Sequence, residues 1–381
     1  MSLMSEHRRN TEPGPDFQPE GEGYAGGAPK VRLIAYYLPQ FHPIPENDRA
    51  WGKGFTEWTN VTKATPTFSG HYQPHLPAEL GFYDLRSPEV LRRQSEMAKK
   101  YGIYGFCFHH YWFNGKPLLD APINALLADP TIDLPFCINW ANENWTKRWD
   151  GKDKEIIVAQ NHSPDDDLAL AKSLEPLLRD PRYIRIDGRP LIMIYRPAAL
   201  PDAKATLARW RAHFLRVGLG DPYLVMSQEH ATVNPREYSF DGAAALPPRG
   251  SGTSTPLRRG LRKLSKFHFK RGGILCSYDE MVKYSISYRP EDFPFLPGVC
   301  PSWDNTARKG SKGQVFLGAT PKKYAAWLKD TCEYVLRSKR AEERIVFVNA
   351  WNEWAEGAHL EPDRHFGYAH LEETAKVLKS L

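Results

Sequence analysis

Glu353 and Glu356 stand three residues apart in a stretch, Arg344 to Asp363, that reads RIVFVNAWNEWAEGAHLEPD. At that spacing a helical turn would bring both carboxylates to one face, roughly 5 to 6 Å apart at Cβ, whereas a strand would point them to opposite sides. Carboxylates that close repel each other and are driven to different pKa values, which separates an acid from a base. Around them lie Asn349, Trp351, Asn352, Trp354, Gly357, His359 and Glu361. That mixture suits a sugar: indole faces cover the CH surfaces of a pyranose, amides bind its hydroxyls, and a carboxylate pair works on a glycosidic bond. The competing reading makes one of the two a surface glutamate paired with Arg364 or a lysine.

The pair needs an element to hold it, and Ile345–Val348 just upstream is a short β-branched and aromatic run that reads as a buried strand. Seven similar runs precede it: Val31–Tyr37, Ile103–Phe108, Leu134–Asn139, Leu191–Tyr195, Tyr223–Ser227, Phe240–Leu246 and Gly298–Ser302. Helices are expected between them near 88–101, 121–127, 165–178, 202–217 and 321–337, with a closing amphipathic helix within 366–381. Eight strands alternating with helices predict an α/β fold, a (β/α)8 TIM barrel, as a single domain over 31–381 with long βα loops. The rival, a doubly wound open sheet, lacks its glycine-rich fingerprint. Residues 1–30 read as a flexible tail, and about 247–291 as a basic insertion.

Barrel enzymes carry their reactive groups at the carboxyl ends of the strands, and polar aromatics collect there in this chain. After the first strand come Tyr36, Tyr37, Gln40, Phe41 and His42, then Trp51, Lys53, Glu57 and Trp58 in a loop whose length favours function. His109, His110, Tyr111 and Trp112 close the second. Neighbouring residues of an extended segment face opposite ways, so at most one of the histidines reaches the barrel mouth. A metal would need a third converging ligand, and no workable spacing is visible, so neither metal nor cofactor is expected. Asn139, Trp140, Asn142, Glu143 and Trp145 read as a stacking and hydroxyl-binding platform or as rim packing, with Glu143 a third candidate carboxylate or a partner for Lys147 or Arg148. Trp303, Asp304 and Asn305 form another such cluster.

Composition is that of an ordinary globular protein, with 41% hydrophobic and 25% charged residues. The net charge of +6 is local: seven lysines and arginines lie within 258–271, and without them the rest of the chain stands at −1. No nucleic-acid-binding face is therefore expected. Leu261, Leu264 and Phe267 interleave with those cations, as in a basic amphipathic helix for an anionic membrane surface or a phosphorylated lipid carrier; the plainer reading is a solvated insertion. No run of 18 apolar residues predicts a membrane span. The N-terminus lacks the apolar core of a signal peptide, and five widely spaced cysteines read as reduced, so a cytoplasmic location is expected.

The segments YYLPQFHPIPEND, WGKGFTEWTNV, FHHYWFNGKPLL, NWANENWTKRWDG and FVNAWNEWAEGAHLEPD resemble the WbsX-type family, described as glycoside hydrolase family 99-like domains or as polysaccharide-biosynthesis glycosyltransferases. The resemblance runs from about Val31 to Leu381 and fades between about Pro247 and Glu291. It implies a (β/α)8 barrel acting on an oligosaccharide or polysaccharide. The related family 99 enzymes are metal-free retaining endo-α-mannosidases, and their NEWxEG segment would place the group acting on the substrate 2-hydroxyl at Glu353 and the general acid/base at Glu356. Their substrate loops have no match here. Two alternatives stay open. A nucleotide-sugar glycosyltransferase would call for an Asp-x-Asp cation site or a diphosphate cradle, and the one Asp-rich match, Asp165-Asp166-Asp167, reads as a helix start at the wrong end of the barrel. A lectin-like module would need the aromatics but not the glutamate pair.

Overall fold

The structure, a computed structural model, describes residues 10–147, 152–228, 233–248 and 274–381, the side chains of 147 and 152–154 excepted. The tract 258–271, and with it the expected basic helix, lies outside the described residues. The parallel strands are β1 (Arg32–Tyr37), β2 (Gly105–Phe113), β3 (Phe136–Trp140), β4 (Arg189–Ile194), β5 (Tyr223–Gln228), β6 (Gly242–Ala245), β7 in two pieces (Phe295–Leu296 and Gly298–Val299), and β8 (Ile345–Val348). Each pairs with the next, and β8 pairs back onto β1 with Ile34 opposite Phe347, so the sheet closes. Closure runs through both halves of β7: the first lies against β6 and the second against β8. The break falls at Pro297, which has no N–H to give to a ladder. The seventh strand accordingly covers 295–299 rather than the expected Gly298–Ser302.

Among the described residues the helices of eight residues or more are α1 (Pro88–Lys100), α2 (Ala121–Ala128), α3 (Pro164–Arg179), α4 (Ala203–Arg216), α5 (Tyr278–Ser287), α6 (Pro321–Ser338) and α7 (Ala369–Ser380). Four of these seven start at a proline in the first turn, and Ser163, Asp202, Ser277 and Thr320 cap α3, α4, α5 and α6 through their side-chain oxygens. Strand residues alternate between the barrel interior and the helix layer. Tyr36 stacks inside on Phe347 with centroids 5.1 Å apart, while Tyr37 points outward and donates to Gln94 of α1 at 2.8 Å. β2 runs further than expected, through Phe113, because it turns back into a hairpin with Lys116–Leu118.

Two peripheral segments fold onto this frame. From residue 10 the stretch expected as a flexible tail is bonded to the barrel: Asn10 Nδ2 donates to the Gln73 carbonyl at 2.8 Å, Tyr368 N to Gln18 at 2.8 Å, and Tyr24 N to Lys100 at 2.7 Å. Of the expected insertion, Ile274–Ser277 forms a strand parallel to Gln314–Leu317 and leads into α5. Among the described residues no helix is long and apolar enough to cross a membrane.

Candidate active site

Beyond β8 the chain makes a tight hairpin. Asn352–Glu353 pairs antiparallel with Ala358–His359 around a single 3-10 turn, Trp354–Glu356. A 3-10 turn has three residues per turn, so positions 353 and 356 eclipse, and the expected common face arises from this turn rather than from an α-helix. Gly357 ends the turn with φ 59, a left-handed conformation that favours glycine, and a Cβ there would press on the Asp304 backbone nitrogen at 3.1 Å. The hairpin is anchored on three sides. Asn352 exchanges both amide bonds with Leu38 (2.7 and 3.0 Å); Trp354 Nε1 donates to Glu361 at 2.7 Å; Asp304 N donates to the Glu356 carbonyl at 2.7 Å. Glu361 also accepts from Tyr83 at 2.8 Å and Gln94 at 2.6 Å, and burial pushes its carboxyl up to about 7.

The two carboxylates meet at Arg308. Its Nη2 lies 2.9 Å from Glu353 Oε2 and its Nη1 lies 2.7 Å from Glu356 Oε1. A third carboxylate joins them: Glu57 Oε2 accepts from Arg308 Nε at 2.8 Å and Nη2 at 2.6 Å. Glu57 opens a short helix, Glu57–Lys63, capped by Thr56, and its other oxygen accepts from Asn60 at 2.7 Å. Arg308 sits in the four-residue helix Thr306–Lys309 that follows the Trp303-Asp304-Asn305 cluster. One guanidinium thus faces three carboxylates, all largely buried. Burial drives the Glu353 carboxyl up to about 8, Glu356 and Glu57 adding to the rise and Arg308 opposing it. Arg308 itself is held well above its usual value by the three glutamates, against burial, and stays charged.

The pair opens on a cavity of about 390 Å³. Of the residues expected at the site, Gln40, His109, Tyr111, Glu143, Trp145, Trp303, Asn349, Glu353 and Glu356 line it. His109 Nε2 stands 3.9 Å from Glu353 Oε1, and its ring stacks on Tyr36 at 5.8 Å. Tyr111 takes a bond from Gln40 at 2.7 Å and meets the Trp145 edge at 5.1 Å. Tyr36 and Asn139 lie just inside the barrel beside His109.

The other expected residues are placed elsewhere by strand alternation or loop packing. Tyr37 and His110 face the helix layer, and burial lowers the His110 imidazole to about 4. Trp140 packs on Trp210 of α4 at 5.4 Å, and Trp112 donates to Asp166 of α3 at 3.0 Å. Asn142 clamps the Arg196 backbone through both amide atoms at 2.8 Å. Trp58 fills an aromatic cluster with Phe41, Tyr83 and Trp354; His42 is buried in the same loop; Trp351 packs on Phe106 at 5.0 Å. Asn352 and Trp354 brace the hairpin as described, and Asp304 holds His71 at 2.6 Å and Gln73 at 2.7 Å. Glu143 pairs with Arg196 at 2.6 Å. The Asp-rich run needs a correction of place. Asp166 bonds residues at the carboxyl end of β2, so α3 starts at the same end of the barrel as the site; Asp166 is spent on Trp112 and Gly115 and Asp167 on Arg209, and none of the three acids lines the cavity.

Sequence reasoning missed Arg308, Tyr195, Arg196 and Gln314, and took Glu57 only as a loop residue; all but Glu57 line the cavity. A lone arginine in TARKG carries no local signal, since its three partners lie 251, 45 and 48 residues away.

The strands close into a (β/α)8 barrel, and the carboxylate-lined cavity opens at their carboxyl ends. The chain belongs to the family described as Glycosyltransferase WbsX, which it matches over residues 33–374. It is 46% identical over 347 residues to "Uncharacterized protein WxcX" of Xanthomonas campestris pv. campestris, covering 91% of this chain and 49% of that one, so the chain spans about half the length of the curated relatives it matches. Among solved structures it is similar to the GH99 endo-alpha-mannosidase from Bacteroides thetaiotaomicron (TM-score 0.55, 17% identity, 92% of this chain and 97% of that one). It is also similar to a "Glycoside hydrolase-like protein" (TM-score 0.57, 15% identity, 95% and 98%). At these identities the likeness speaks for the fold.

Proposed function

We propose that the chain cleaves glycosidic bonds within an oligosaccharide or polysaccharide as a retaining, endo-α-mannosidase-like hydrolase, with Glu353 and Glu356 as its two working carboxylates. The observation that carries this reading is their joint attachment to one guanidinium at the cavity edge. An inverting enzyme keeps its carboxylates roughly 6.5 to 9.5 Å apart to hold a water between them. A shared guanidinium and a single tight turn between the two residues favour the closer arrangement of a retaining pair.

In the first step Glu353 takes the proton of the 2-hydroxyl, O2 attacks C1, and Glu356 protonates the departing glycosidic oxygen. A 1,2-anhydro sugar results. In the second step Glu356 takes a proton from water, the water oxygen opens the strained ring at C1, and Glu353 returns its proton to O2. Two inversions at C1 give net retention. The burial that raises the Glu353 carboxyl makes it a stronger base than an exposed glutamate, as this step requires. His109, Tyr111 and Trp145 line the same cavity and would supply a stacking face and polar contacts.

Two outcomes follow. With an α-glycosyl fluoride, whose leaving group needs no proton from Glu356, only the base must be ionised, so kcat/KM is expected to rise with pH up to a limb near pH 8 and to lose about tenfold per unit below it. A flat profile between pH 5 and 8 would remove Glu353 from that role. A 2-deoxy-2-fluoro substrate should bind but neither turn over nor label the protein, because it has no 2-hydroxyl to deprotonate. Intact-protein mass spectrometry showing a glycosyl adduct on Glu353 would replace the anhydro route with an ordinary carboxylate nucleophile.

The family description favours a second reading, transfer, in which a sugar hydroxyl opens the anhydro intermediate in place of water. Mannose-containing glycan fragments incubated with and without nucleotide sugars separate the two. Shortened products without any nucleotide sugar support the hydrolase; elongated products that require one support the transferase.

A further inference from the structure

Beneath the hairpin, away from the cavity, His75, His359 and Asp363 converge, all three buried, with one ligand atom of each within 4.8 Å of the others. They come from two distant parts of the chain: His75 lies 284 residues before His359. Backbone bonds set the meeting. Ala78 N donates to the Pro362 carbonyl at 3.0 Å and Arg364 N to Leu76 at 3.0 Å, which lays the strap around His75 along the turn of Asp363.

The hydrogen bonds decide what the imidazoles offer. His359 Nδ1 lies 2.9 Å from the Glu361 carbonyl oxygen, which can only accept, so Nδ1 carries the proton and Nε2 of the neutral ring presents a lone pair. That lone pair faces His75 Nδ1 at 2.9 Å and Asp363 Oδ2 at 3.7 Å. A backbone carbonyl fixing the tautomer of a histidine is the usual outer-shell arrangement of metal-ligating imidazoles. Asp363 holds its place by accepting from Phe366 N at 2.5 Å. Among the described residues no lysine or arginine ion-pairs with its carboxylate, which is 2% exposed. Its hydrogen bonds come from uncharged donors, Phe366 N among them, and a cation beside it would further offset the burial of its charge.

We propose that His75 Nδ1, His359 Nε2 and Asp363 Oδ2 bind one divalent first-row transition ion, zinc by the chemistry of the donors. Imidazole nitrogens and a carboxylate oxygen at about 2.0 to 2.2 Å, in a tetrahedron, place ligand atoms roughly 3.3 Å apart, between the two separations observed. Binding moves the His75 proton from Nδ1 to Nε2, so no net charge leaves the site, and water completes the coordination. The ion ties the strap to the hairpin: Trp354, inside the turn that bears Glu356, stacks on the His359 ring at 3.9 Å. Its role is structural, and it stands or falls independently of the reaction assigned above.

The test is the metal content of full-length protein expressed with added zinc, washed with chelator while folded, then dissolved in acid for elemental analysis. One equivalent of zinc per chain is expected, falling to background in His75→Gln and Asp363→Asn. Wild-type protein refolded in chelator should melt lower and regain its midpoint on addition of zinc alone. Substoichiometric metal in the wild type together with an unmoved midpoint would leave a hydrogen-bonded histidine pair only and overturn the proposal. So would an equivalent of metal that survives both substitutions. If the variants fail to fold, the wild-type content and the refolding titration still decide.

Discussion

Glu353→Gln and Glu356→Gln should each lower kcat/KM by at least about a hundredfold, the lower range for one positioned acid or base, while leaving the protein folded. The folding half of this expectation comes from the charge count around Arg308. Three glutamates share one guanidinium, so an ionised cluster carries excess negative charge in a buried place. Glutamine keeps the shape and an acceptor oxygen for the arginine while removing one of the repelling charges, so the denaturation midpoint should hold or rise. Glycan binding should survive as well, since His109, Tyr111 and Trp145 are untouched. Near-wild-type turnover in either variant would take that residue out of the mechanism, and a collapsed midpoint would show that the cluster needs all three carboxylates for stability.

Arg308→Met is expected to do the reverse and damage the fold first. Removing one partner of a buried ion pair costs about 3 to 5 kcal/mol because the remaining charge stays buried and unpaired. Here three carboxylates would lose their shared cation, two of them on the hairpin and one on the loop above β1. Urea denaturation should show the loss, and Glu57→Gln added to Arg308→Met should recover part of it, since the double variant carries one fewer unpaired charge. Arg308→Lys should fold better than Arg308→Met yet remain slow, because an ammonium cannot offer the fork that reaches all three glutamates at once. A denaturation midpoint for Arg308→Met equal to wild type would contradict the geometry on which the pair depends.

What the sequence revealed of this site, and what it hid, follows from how far apart the determinants lie. Strands such as Ile345–Val348 and Tyr223–Ser227 are local hydrophobic runs, so the barrel and the end of it on which the cavity opens were legible. The eclipsed Glu353 and Glu356 were also local, within three residues. Alternation along β2 correctly limited the histidines to one at the mouth, but only the register with β3 and the hairpin chooses His109 over His110. The same reasoning shows why the tryptophans misled. Trp58, Trp140, Trp351 and Trp354 have the composition of a stacking platform, yet each occupies a buried packing site that the residue type alone cannot distinguish from a sugar face. Arg308, Glu57 and the His75–His359–Asp363 cluster are products of chain closure over long sequence separations, and no window of the sequence contains them.

The central claim is that two carboxylates bridged by one arginine act through the substrate's own 2-hydroxyl. The most direct measurement is proton NMR of the first-formed anomer, recorded on a cleaved α-mannoside before mutarotation scrambles it. The account predicts the retained α-anomer from the outset, with the β-anomer growing in only at the rate of spontaneous mutarotation. A β-anomer formed first would mean a single displacement by water, and would contradict the close pair.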